Sequence, residues 1–200
     1  MPRNRGRLIA IEGIDQSGKR TQAQLLAKEL RRRGYAASVW DFPDYTTPLG
    51  RQLRAYLAGR SRLDYHAVHL LYAANKWERA EELDREIKRG RSIIVNRYSP
   101  SNLAYGVAHG LPSEWLSSLE RGLPKPDVVF VLDISPRTSF RRKSKQRDVH
   151  EGDLAYLKKV RTAYLHLAKR YGWRVGDGEQ DSKTVQRELW SLVSRYLRRK

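Results

Sequence analysis

The stretch Ile9–Gln24, IAIEGIDQSGKRTQAQ, constrains the fold more than any other part of the chain. It opens as an apolar strand (Leu8–Ile11), breaks at Gly13, reaches Gly18-Lys19 and continues in a helical pattern. The spacing Gly13-x-x-x-x-Gly18-Lys19 is that of a phosphate-binding loop between a strand and a helix. Glycines let backbone N–H groups turn around a phosphate with no Cβ in the way. The helix that follows aims its positive end at the same place, and Lys19 adds a full charge. Gly13, Gln16, Ser17, Gly18, Lys19, Arg20 and Thr21 are therefore the expected phosphate ligands. One position departs from the pattern: Arg20 stands where a Ser or Thr normally follows the lysine, and the hydroxyl comes one residue late, at Thr21.

Downstream, strand and helix signals alternate, as in a parallel sheet covered by helices. Helices are expected over Lys19–Arg33, around Leu49–Leu57, over one long stretch His66–Arg89, from Pro100 to Ala108, over Ser113–Glu120, Leu154–Lys169 and Ser182–Leu197. Strands are expected at Ala36–Asp41, Ser92–Val95, Val128–Asp133 and Trp173–Val175. Ser135-Pro136 reads as a capped helix start, Asp64, Asp153 and Ser182 as caps. This gives a three-layer α/β fold with a five-stranded parallel sheet, forming one domain over residues 1–200. Ligands of such sheets bind beyond the C-terminal strand ends. That edge gathers Gly13–Thr21, Phe42-Pro43, Asn96–Tyr98 and the loop after Asp133.

Composition narrows the classes. There is no cysteine, which excludes disulfides and thiol chemistry. No apolar run approaches membrane-span length, and the basic start Met1–Arg7 leads into only four apolar residues, unlike a secretory signal. A cytoplasmic protein is expected. The net charge of +18 favours polyanionic partners, either nucleotide phosphates or nucleic acid.

Five motifs in order, EGIDQSGKRTQ (Glu12–Gln22), FPDYTTPLG (Phe42–Gly50), HLLYAANKWE (His69–Glu78), VNRYSPSNLAYG (Val95–Gly106) and LDISP with a basic stretch (Leu132–Arg147), resemble the thymidylate kinase family. The resemblance runs from Ile9 to about Leu167. It implies the P-loop nucleoside monophosphate kinase fold, transfer of the ATP γ-phosphoryl to dTMP with Mg²⁺, and a homodimer. It implies an acceptor pocket in which Asp15 accepts from the sugar 3′-hydroxyl, Tyr72 stacks on thymine, and Phe42 and Tyr105 pack nearby. Lys76 stands where the family usually has an arginine donating to a thymine carbonyl. Arg97 matches the acceptor-phosphate ligand, and its sequence neighbourhood holds no acid; Ser101 and Asn102 add polar contacts. The basic stretch matches a mobile lid at about 141–152. Since Gln16 occupies the loop position that carries a catalytic arginine in some members, the lid is expected to supply it, from Arg141, Arg142, Lys145 or Arg147.

Two departures bear on the metal. Arg20 replaces a hydroxyl, and Asn96 replaces the Asp of the family's Asp-Arg-Tyr motif; Thr21 and Asn96 are the remaining candidate ligands. Losing a carboxylate and gaining a guanidinium weakens a cation site. Mg²⁺ is then expected to arrive with ATP, while Arg20 carries part of its charge. The alternatives are a nucleotide-binding paralogue with weak or lost activity, suggested by Arg20 and Asn96, and a basic nucleic-acid-binding protein, suggested by the charge. No nucleic-acid motif is present.

Overall fold

The computed structural model describes residues 5–142 and 153–197. Five parallel strands form one sheet in the order β2-β3-β1-β4-β5. They are β1 (Leu8–Glu12), β2 (Ala37–Asp41), β3 (Ser92–Asn96), β4 (Val128–Asp133) and β5 (Arg174–Asp177). Every residue of β1 is buried, as expected of a central parallel strand covered on both faces. Its side chains alternate between layers. Ile9 and Ile11 face α1 (Lys19–Arg32) and the last helix, packing with Leu26, Leu30, Phe130 and Leu189. Leu8 and Ala10 face the opposite layer, with Phe42, Leu83, Ile87 and Tyr98. Truncating Ile11 to Ala would cost roughly 2–5 kcal/mol by leaving a cavity.

The remaining helices are α2 (Pro48–Leu57), α3 (Tyr65–Trp77), α4 (Ala80–Lys88), α5 (Ser99–Ala108), α6 (Ser113–Leu119), α7 (Pro136–Arg142), α8 (Leu154–Tyr171) and α9 (Ser182–Leu197). Asp64, Asp153 and Ser135 cap as the sequence suggests: Asp64 accepts from His66 N–H, Asp153 from Ala155 and Tyr156 N–H, and Ser135 Oγ from Thr138 N–H.

Two expectations are corrected. The long helix His66–Arg89 is two helices. Arg79 leaves helical geometry (φ −114°, ψ 1°). Its guanidinium bonds Asp44 at 2.9 Å and Glu82 at 3.0 Å and lies over the Trp40 ring at 4.6 Å. The chain is thus drawn toward the Asp44 turn, α3 packs on α2, and α4 packs on β3. On α3 the buried side is Val68, His69 and Ala73, while Leu70 is exposed. Finally, α9 is capped by Asp181, which accepts from Lys183 and Thr184 N–H. The Ser182 hydroxyl instead receives a hydrogen bond from Gln22 Nε2.

Candidate active site

The loop after β1 is built on left-handed backbone. Gly13 has φ 131°, and a Cβ there would lie 2.4 Å from the Leu132 carbonyl oxygen. Gln16 and Gly18 also have positive φ, 61° and 93°. Gly18 precedes the first turn of α1 without a side-chain cap, so the helix presents its bare N–H groups to the loop. Lys19 is buried and donates to the Ile14 carbonyl at 2.7 Å, spanning the loop. Ser17 Oγ is buried without a hydrogen-bond partner, an oriented polar atom inside the cradle. From α7, Arg142 reaches across to donate to the Gln16 carbonyl at 3.1 Å and to Gly178 at 3.0 Å. Arg141 stays on its own helix, donating to Thr138 Oγ1. Lys145 and Arg147, and most of the expected lid, lie outside the described residues.

Beside the loop opens a cavity of about 420 Å³. It brings together every expected acceptor-site residue: Asp15, Phe42, Tyr72, Lys76, Arg97, Ser101, Asn102 and Tyr105. Arg20 and Asn96 also line it; Thr21 does not and is exposed on α1. Phe42 is at once wall and core, its ring 5.5 Å from that of Tyr98.

Arg97 is held most firmly. It follows β3 in left-handed conformation, φ 67°. The next peptide is anchored by Glu12, a fully buried carboxylate that accepts from Tyr98 N–H at 2.7 Å, Ser101 Oγ at 2.6 Å and Tyr164 OH at 3.0 Å. Burial raises the Glu12 pKa, and Ser101, Arg97, Tyr164 and the Tyr98 amide offset only part of that. The Arg97 guanidinium donates to Asp15, to Tyr105 OH at 3.1 Å, and to Ser101 Oγ and Gly13 O at 3.3 Å. Tyr105 OH donates to the second Asp15 oxygen at 2.8 Å. Burial alone would raise Asp15, but Arg97 and Lys19 outweigh it, and with Tyr105 they bring the carboxyl down to about 2. Burial also disfavours the Arg97 charge, and Asp15 reverses that effect. So Arg97, which has no acid nearby in sequence, has one in space.

The two departures are likewise linked through a carboxylate. Asp41, aligned with Asn96 across β2 and β3, accepts from Asn96 Nδ2 at 2.6 Å and lies 3.7 Å from Arg20. Asn96 Oδ1 is thereby turned away and has no partner. Lys76 is buried and donates to Tyr72 O at 2.9 Å and Glu120 Oε1 at 2.8 Å. Sequence reasoning missed Glu12, Asp41, Glu120 and Arg54. The last lines the cavity with its guanidinium 4.9 Å from the Tyr45 ring centre. Glu12 and Asp41 left one signal, each being a strand-terminal acid on the ligand-binding edge.

A family model described as thymidylate kinase matches residues 11–189. The chain belongs to the thymidylate kinase family. It is 37% identical over 189 residues to the thymidylate kinase of Arabidopsis thaliana, covering 94% of this chain and 71% of that protein. It is 30% identical over 201 residues to the thymidylate kinase of Homo sapiens, covering 99% and 94%. The solved structure of thymidylate kinase from Candida albicans superposes with a TM-score of 0.86 at 30% identity, covering 96% of this chain and 92% of that one. The sheet and its helices are therefore the P-loop nucleoside monophosphate kinase fold. The expected fold class and the resemblance both hold.

Proposed function

We propose that this thymidylate kinase family member transfers the γ-phosphoryl group of ATP to dTMP, giving ADP and dTDP. One observation carries the reading: the phosphate loop and the Arg97 pocket share Asp15, a loop residue that bonds the arginine of the adjoining cavity. Two phosphate sites that share a residue can bring two phosphates face to face. Phosphoryl transfer asks mainly for such positioning and for cations around the moving oxygens.

In this reading Lys19, the loop amides and Ser17 Oγ hold the ATP phosphates, and Arg142, tied to the loop at Gln16, adds charge from α7. Arg97 holds the acceptor phosphate. Asp15 keeps its guanidinium oriented and stands ready to accept from the sugar hydroxyl. Tyr72 and Phe42 flank the ring. Among the described residues no group of three or more His, Cys, Asp or Glu gathers to hold a metal ion. The unpartnered Asn96 Oδ1 is an oxygen that fits a cation arriving on the nucleotide. Mg²⁺, when bound, would neutralise charge on the outer phosphates, and Arg20 would share that task.

We further infer one domain, a cytoplasmic location and a homodimer. Exposed Leu70 and Trp77 on α3 are suited to a second copy. No helix among the described residues is long and apolar enough to cross a membrane. An ADP-release assay with dTMP, dUMP and dCMP tests the kinase reading, and light scattering tests the dimer. Absence of turnover with all three acceptors would leave a nucleotide-binding paralogue.

A further inference from the structure

From the cavity wall a chain of buried polar groups runs back into the protein. It begins at Lys76, near the end of α3, and passes through Glu120, just after α6, to Asn102 on α5. The Lys76 and Glu120 side chains are only 4% and 7% exposed. Asn102 Nδ2 donates to Glu120 Oε1 at 2.9 Å and to the His69 carbonyl at 3.2 Å. Two acceptors on the nitrogen fix the amide, so its oxygen faces His69 Nδ1 at 2.6 Å and takes the proton from it. In the neutral ring His69 Nε2 is then the acceptor toward His109 Nδ1, 3.0 Å away. Tyr156 OH, donating to Tyr105 O, closes the network against the wall. The roles from Lys76 to His69 Nδ1 follow from the carboxylate of Glu120, which only accepts.

Resting on the dTMP reading above, we propose that Glu120 is a positioning residue that sets base selectivity through Lys76. An ammonium group has three donors and no acceptor. Glu120 and Tyr72 O take two of them, and Lys76 lines the cavity while Glu120 does not. At Lys76 the ring therefore meets a fixed N–H donor, with the Glu120 carboxylate behind it. A pyrimidine presenting a carbonyl oxygen is accepted; one presenting an amino group sets donor against donor. Without Glu120 the buried ammonium loses its charge partner and its orientation together.

The rest of the pocket would still hold sugar and phosphate, so the effect falls on discrimination between acceptors. Glu120→Gln is expected to raise KM for dTMP and dUMP about tenfold while KM for dCMP and for ATP moves little, because a hydrogen bond from a charged donor is at stake. Glu120→Asp retains more of the preference. Should Glu120→Gln fold poorly, the neutral pair Lys76→Met/Glu120→Gln replaces it and is expected to lose the preference to the same extent. Calorimetry with dTMP and dCMP, without ATP, reads the same ratio independently of turnover. A preference within twofold of the parent in these variants, or equal losses for all acceptors, overturns the proposal. If the parent shows the binding preference but transfers no phosphate, the kinase reading fails and this one stands.

Discussion

Replacing Asp15 with Asn tests how the acceptor site is held together. The substitution keeps shape and an acceptor for Tyr105 OH but removes the charge facing Arg97. The displacement of the Asp15 carboxyl from 3.8 to about 2 corresponds to roughly 2 kcal/mol of stability at neutral pH. Both side chains are only 17% exposed, so solvent screening takes little of it. Because the folded value is the lower one, the contribution is complete above about pH 4 and disappears as pH falls toward 2. Asp15→Asn is therefore expected to melt about 4–8 °C lower at pH 7, the shift that roughly 2 kcal/mol gives in a chain of this size. The gap between variant and parent should close as pH falls through that window. dTMP should raise the melting temperature of the variant more than that of the parent, since its phosphate restores a partner to Arg97. Differential scanning calorimetry between pH 2 and 7, with and without dTMP, measures all three. A variant as stable as the parent at pH 7, or more stable, would refute the reasoning, because removing the ions from water would then outweigh their attraction.

Arg97→Lys keeps the charge but loses the planar fork; kcat/KM for dTMP should fall roughly 10–100-fold with ATP-analogue affinity unchanged, by steady-state kinetics and calorimetry. Gly13→Ala drives a methyl against the Leu132 carbonyl and should lower stability by about 1–3 kcal/mol and abolish binding of an ATP analogue, read by denaturant melts and calorimetry. Arg20→Ser removes the guanidinium that shares the cation's task, so activity should rise more steeply with Mg²⁺ at fixed ATP than in the parent; an unchanged Mg²⁺ curve would count against that role.

The phosphate loop, the parallel sheet and most helix ends were legible because their signals are local: glycines at fixed spacing, an apolar run, a capping acid. The cavity wall was legible through the ordered motifs. What escaped depends on distant partners. No glycine or proline marks the break between α3 and α4; it is made by Arg79 reaching Asp44 and Trp40. The Ser182 hydroxyl is a plausible cap until Gln22, on another helix, takes it and Asp181 does the capping. Glu12, Asp41 and Glu120 sit at element ends like many surface acids. Only folding sets them against Ser101, Asn96 and Lys76.

Each of three cations on the cavity wall already has a carboxylate beside it: Arg97 has Asp15, Lys76 has Glu120, and Arg20 has Asp41. Although the chain carries +18, a nucleotide thus enters a place where these three cations are locally compensated. The surplus positive field acts outside, speeding the approach of anions and weakening with ionic strength, while grip inside is set by geometry. Departure of the more highly charged product then leaves each of these three cations beside its own carboxylate.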